Sequence, residues 1–145
     1  MTIIKKSIKI NSNSSFEIID ITDQVKEILN NITQEYDDKI PNKTGIVSIF
    51  TKHSTSAIRV NENESGLLTD FENILNELVL DKNNYRHDAI DNNASSHLKS
   101  FLLGSSESIP ISEGKLDLGT WQSIFFIELD GPRMNRTVDL NFILE

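Results

Sequence analysis

The chain has 145 residues, with 14 Lys+Arg against 22 Asp+Glu and a formal net charge of −8 at pH 7. That length predicts one domain over residues 1–145, and an acidic chain without a basic run is a poor partner for a nucleic-acid backbone. Cysteine is absent, which excludes disulfide scaffolds, thiolate metal sites, Cys nucleophiles and iron–sulfur clusters.

The first element expected is a strand over 4–10, where Ile8 and Ile10 alternate with lysines; lysines blunt sheet edges, so an edge position is expected. A polar turn over 11–15 follows. Residues 22–33 change to helical period, with Val25, Ile28, Leu29 and Ile32 on one stripe and Thr22 or Asp23 as the expected cap. The apolar, β-branched run Ile46–Phe50 predicts a buried strand, and residues 57–60 another. Leu67, Leu68, Phe71, Ile74, Leu75 and Leu78 predict a second helix lying across a sheet.

A third helix is expected over 93–103, with Ala94, Leu98, Phe101 and Leu102 inward and Gly104 as its stop. Strands are expected over 107–111, 123–130 and 137–143. In the last, Val138, Leu140 and Phe142 alternate with polar residues. Mixed elements without a βαβ rhythm predict an α+β fold with a mostly antiparallel sheet.

Three histidines carry the chemistry: His53, directly after a buried strand; His87, in an Asp- and Asn-rich loop; and His97, at the rim of the third helix. Three neutral imidazoles with an open fourth position suit a divalent ion such as zinc. The plainer alternative is three unconnected boundary histidines, since spacings of 34 and 10 match no local metal motif. The four arginines, Arg59, Arg86, Arg133 and Arg136, suit an anionic substrate or simply pair with the abundant carboxylates.

Trp121, the only tryptophan, is either core or the wall of a pocket for a flat ring, with Gln122 offering an amide. Glu128 shares its strand face with Gln122, Ile124 and Phe126, opposite Trp121, Phe125 and Ile127. A carboxylate there is either paired with an arginine or has a raised pKa suited to proton transfer. The turn Asp130-Gly131-Pro132-Arg133 is expected to aim Arg133 toward that strand end. No P-loop, dinucleotide glycine fingerprint or nucleophile elbow occurs. The N-terminus lacks a secretory apolar run, and the longest apolar stretch, Ile124–Ile127, is far below the ~20 residues of a membrane helix. A cytoplasmic protein without a membrane partner is expected.

Several segments together resemble one family. They are Thr51-Lys52-His53-Ser54-Thr55-Ser56-Ala57, Asn61-Glu62-Asn63, Tyr85-Arg86-His87, Asn93 to Lys99, Leu103-Gly104-Ser105-Ser106, Gly119-Thr120-Trp121-Gln122 and Asp130 to Arg133. In order and spacing they are similar to the YjbQ-type family, whose members are called secondary thiamine-phosphate synthases. The resemblance implies a sheet curled into a half-barrel with helices packed on it, a homotrimer, and a polar pocket near a subunit boundary.

Carried over by position, His53, His87, His97 and Glu128 become the expected catalytic residues, and the three histidines the expected ligands of zinc or magnesium. Ser54, Thr55, Arg86, Lys99, Trp121, Gln122 and Arg133 become the expected contacts of a phosphorylated small molecule. Ser95-Ser96 departs from the pattern, in which an Asp or Asn often stands beside Ala-His-x-Lys, and so removes one candidate carboxylate ligand. The implied reaction joins a pyrimidine diphosphate to a thiazole phosphate with release of pyrophosphate. The alternatives are a trimeric metal- or anion-binding protein and a metal-dependent hydrolase with Glu128 as base.

Overall fold

Two antiparallel sheets and three helices make up the computed structural model, which describes residues 1–145. In chain order the elements are β1 (Thr2–Ile10), β2 (Glu17–Asp20), α1 (Thr22–Glu35), β3 (Gly45–Thr51), β4 (Ser56–Glu62) and α2 (Ser65–Leu78). A single 3-10 turn (Arg86–Ala89) leads to α3 (Ala94–Leu103), β5 (Ser106–Ser112), β6 (Lys115–Leu116), β7 (Gln122–Glu128) and β8 (Arg136–Leu144). The fold is α+β, as the pattern predicts. No helix is long and apolar enough to cross a membrane.

The larger sheet has the order β1-β8-β3-β5-β6, the smaller β2-β7-β4. The alternation in β8 dictates the larger one: Val138, Leu140, Phe142 and Leu144 all turn inward and are buried. Register then places Phe142 opposite Ile4 on one side and Val47 on the other, and Leu140 opposite Ile49. β1 lies at the edge, as its lysines suggest. This sheet curls into a half-barrel, and Val25, Leu29 and Ile32 of α1 fill its concave side together with Ile58, Ile124 and Phe126 from the smaller sheet.

The start of α1 differs from the expected cap. Ile21 occupies the N-cap and no side chain bonds there. Thr22 is used otherwise: its hydroxyl accepts from the Ile124 N–H at 2.8 Å, and its own N–H donates to Asp20 Oδ1 at 2.9 Å. The helix start is thereby tied to β7 through a buried hydroxyl.

The other face of the smaller sheet carries a second apolar cluster of Ala57, Phe125, Ile127, Leu75 and Leu129. β7 thus sends Ile124 and Phe126 one way and Phe125 and Ile127 the other, as period two requires. α2 begins with Glu64, whose carboxylate accepts from Gly66 N–H at 2.8 Å and Leu67 N–H at 2.7 Å. Only Leu75 of its six-residue stripe is fully buried, while Ile74 and Leu78 are exposed. The helix rests on the sheet along a narrower line than its pattern predicts.

α3 is turned round relative to its expected orientation. Its buried residues are Ala94, Ser95, Ser96 and Lys99, whereas Phe101 is 86% exposed, Leu102 63% and Leu98 38%. The reason is close approach. The Ser96 hydroxyl donates to the Leu129 carbonyl at 2.6 Å and the Ser100 hydroxyl to the Ser56 carbonyl at 2.7 Å. Small side chains let the helix reach these strand-end carbonyls, and the larger apolar ones are left outside.

Candidate active site

The loop after β3 is anchored from below by a buried ion pair. Arg136 occupies the first position of β8, in phase with Val138 and Leu140, so its side chain enters the core. Its Nη2 lies 2.6 Å from Glu128 Oε2 and its Nε 2.9 Å from Oε1. The Ser12 hydroxyl donates to Oε1 at 2.7 Å, and the Leu129 N–H to Oε2 at 3.1 Å. Arg136 Nη2 also donates to the Thr55 hydroxyl at 2.9 Å, which ties the loop to the pair.

Burial alone would raise the Glu128 pKa, but the hydrogen bonds from Arg136 and Ser12 and the adjacent guanidinium charge hold it below the ordinary carboxylate value. Of the two readings of Glu128, pairing is the one observed, and its partner is Arg136, not Arg133. Both oxygens are occupied by donors, so in this arrangement Glu128 anchors the loop and presents no free oxygen to the cavity. Thr55, expected to touch substrate, is likewise buried and engaged with Arg136.

Above this pair the loop closes on itself. The Ser56 hydroxyl donates to the His53 carbonyl at 2.9 Å and lies 2.8 Å from the Thr51 hydroxyl. The His53 ring is fixed by β8, because the Thr137 N–H donates to its Nε2 at 3.0 Å. A neutral imidazole accepting at Nε2 carries its proton on Nδ1. Burial lowers the His53 pKa, and the Arg136 charge lowers it further against the opposing pull of Glu128 and Asp139. His53 is therefore a neutral donor through Nδ1–H.

His53 and, from α3, His97 line one cavity of about 440 Å³, whose other polar walls are Thr51, Lys52, Ser54, Ser100 and Ser105. A neighbouring cavity of about 460 Å³ is walled by His97 again, with His87, Arg86 and Tyr85. The His87 and His97 rings meet edge to face, with centroids 4.8 Å apart. The three imidazoles thus fall along two adjoining spaces, and His97 is common to both.

His87 is oriented by a relay. Arg133 Nη2 donates to Asp130 Oδ2 at 3.0 Å, and Asn93 Nδ2 donates to the same oxygen at 3.1 Å. Asn93 Oδ1 faces His87 Nε2 at 3.1 Å. Because a carboxylate only accepts, Asp130 fixes the amide of Asn93, and His87 Nε2 must then be the donor. Arg133 stands at the outer end of this chain, two side chains away from the imidazole.

The other expected contacts divide. Ser54 and Arg86 line the cavities. Lys99 turns away and donates to Asn76 of α2 at 2.9 Å. Trp121 is 73% exposed, and Gln122 turns back to accept from the Gly119 N–H at 2.8 Å. Both stand at the beginning of β7, whereas the histidine loop meets its end, where Ser56 pairs with Glu128. Six strand residues separate these ends by ~20 Å, so one chain does not bring the Trp-Gln turn to the histidines.

No group of three or more His, Asp or Glu side chains is arranged to hold a metal ion, and His53 Nε2 is already accepting from the backbone. A three-histidine zinc or magnesium set does not fit the geometry of one copy. Sequence reasoning named Arg136, Asn93 and Asp130 but gave none of them a place in the site. For Arg136 the signal was present: it continues the inward alternation of β8 by two residues, and a buried guanidinium requires a carboxylate.

Known proteins similar to this chain match it over most of its length. A family model described as UPF0047 protein YjbQ-like matches residues 6–145. A UPF0047 protein of Methanothermobacter thermautotrophicus is 46% identical over 136 residues, covering 94% of this chain and 90% of its own. The UPF0047 protein YugU of Bacillus subtilis is 34% identical over 138 residues, covering 88% and 91%. Among solved structures, a YbjQ-like protein of unknown function from Sulfolobus solfataricus P2 superposes with a TM-score of 0.89 at 39% identity, covering 99% of each chain. A hypothetical protein from Aeropyrum pernix K1 gives 0.88 at 33% identity, covering 98% of this chain and 99% of that one. With the motifs in order, the half-barrel in place and the match running nearly end to end, the chain belongs to the YjbQ-like UPF0047 family.

Proposed function

We propose that the two histidine cavities form the active site of a small transferase acting on phosphorylated substrates, of the thiamine-phosphate synthase type. The observation that carries this reading is that His53, His97 and Lys52 wall one polar cavity, while His97 also walls the next with His87 and Arg86. In the reaction, the nitrogen of the thiazole phosphate forms a bond to the methylene carbon of the pyrimidine. The carbon–oxygen bond to the diphosphate breaks, and its electron pair leaves on pyrophosphate. Lys52 and Arg86 balance the developing charge, His53 Nδ1–H donates to a phosphate oxygen, and His97 protonates the leaving group.

A homotrimer belongs to this proposal. Phe101 and Leu102 expose apolar surface beside the cavities, a form of patch that another copy covers. Trp121 and Gln122 join the site only when a neighbouring copy supplies them. Zinc or magnesium enters as an ion carried by the diphosphate; elemental analysis of the purified protein tests this, and one tightly held equivalent per chain would overturn it.

The decisive experiment mixes the protein with both precursors and with each alone. Pyrophosphate release that needs both, and that His97→Ala abolishes with the oligomer intact, is the expected result. Ligand binding without product would replace the transferase with a trimeric metal- or anion-binding protein. Phosphate release from a single substrate would replace it with a hydrolase, one whose base is not the locked Glu128.

A further inference from the structure

The convex face of the larger sheet carries a charge opposite to that of the chain as a whole. On β1, Ile4 and Ile8 turn inward, so by period two Lys5, Ser7 and Lys9 share the outer face. Register sets Lys5 beside Asn141 and Ser7 beside Asp139 of β8, and Phe50 of β3 stands on the far side of Asp139. Lys5, Ser7, Phe50, Lys52, Asp139 and Asn141 line a cavity of about 510 Å³, with Lys6 beside them. In a chain of net charge −8, Asp139 is the one carboxylate of that cavity.

The cavity is built for an anion. Asp139 is already neutralised, because Lys52 Nζ lies 2.9 Å from its Oδ2. Lys5 enters no ion pair, which leaves a positive charge in excess, and Lys9 adds to it along the same face. Lys5 and Asp139 are diagonal neighbours across the β1–β8 ladder, a spacing of ~7–8 Å. One phosphate therefore spans the gap between Lys5 and the Lys52–Asp139 pair, with the Asn141 amide and the Ser7 hydroxyl as further donors. An ammonium is a point charge with three rotatable donors, which suits the rounded phosphate head.

The cavity also adjoins the histidines. Phe50 and Lys52 wall it and the histidine cavity alike, and the half-buried Phe50 ring offers a flat apolar surface between the two. We propose that this face binds a phosphomonoester carried on a flat ring, its phosphate between Lys5 and Lys52 and its ring against Phe50. Under the transferase reading the occupant is the thiazole phosphate; that identity rests on that reading, whereas the site itself does not.

The test titrates the intact protein with phenyl phosphate, phenol and inorganic phosphate, following heat and backbone amide spectra. Phenyl phosphate should bind roughly ten-fold or more tightly than phenol, with shifts at Ser7, Phe50 and Asn141. Lys5→Glu should weaken it by a similar factor, and Phe50→Thr should bring it down to the level of inorganic phosphate. Lys26→Glu, the same charge reversal on the exposed side of α1, should leave it unchanged. Equal losses in the two lysine variants, shifts centred on His97 and Arg86, or no binding at millimolar phenyl phosphate would each overturn the assignment. So would capture of the protein by phosphatidate vesicles that phenyl phosphate does not reverse, since the phosphate recognised would then be a lipid head group. Pyrophosphate release from the two precursors scores the transferase reading separately. If the site binds and no pyrophosphate appears, only the identity of the occupant is lost.

Discussion

The walls of the two adjoining histidine cavities are held by different physics. His53 stands on a loop bolted to the core: a backbone N–H holds its ring, and a fully enclosed Glu128–Arg136 pair holds the loop beneath it. His87 and His97 stand on a 3-10 turn and on α3, which meets the sheets through serine hydroxyls and turns its largest apolar residues outward. The His87 orientation comes from a partly exposed amide–carboxylate relay. One wall is over-determined and the other is adjustable, so ligand-induced movement is expected on the α3 side.

The strongest way to break this contrast is Arg136→Met, which leaves Glu128 buried without its cation. Removing one partner of a buried pair costs ~3–5 kcal/mol, read as a lower denaturant midpoint. The double change Glu128→Leu with Arg136→Met should recover much of that loss. A single variant as stable as the native chain would show that the pair anchors nothing.

Asn93→Leu acts on the other wall. It removes two hydrogen bonds of the relay and should cost ~1–2 kcal/mol, with faster amide exchange confined to residues 86–97. A stability loss as large as that of Arg136→Met would erase the distinction between the walls.

Acid sharpens the comparison in two stages. His53 has a lowered folded pKa, so its contribution is complete above its ordinary value of about 6.5 and is lost as pH falls toward the depressed one. Protonation removes the Nε2 lone pair that holds Thr137 N–H. Glu128 and Asp20, also lowered, give up their contributions only as pH falls below the ordinary carboxylate range. Denaturation at stepped pH should show the first stage in the native chain and not in His53→Gln. The smallest effect belongs to Arg133→Ala, whose i,i+3 bridge to Asp130 is half exposed and contributes ~0.2–1 kcal/mol.

The strands and their faces were legible because period-two alternation is a direct image of burial. Val138, Leu140 and Phe142 lie in the core, and β7 divides its side chains between two clusters as its sequence predicts. The histidine motifs were legible through resemblance more than through spacing. What hydropathy could not convey was the choice at α3 between burying Phe101 and seating Ser96 and Ser100 against the strands. Hydrogen bonds to strand-end carbonyls decide it, and no residue count along the helix records those. The opposite ends of β7 explain Trp121: proximity in a motif order says nothing about which end of a strand a loop leaves.

Because His97 and Phe101 wall both chambers, rotation of the His97 side chain reshapes the two together. A guest beside Lys52 that turns this ring is expected to change the room beside Arg86 as well.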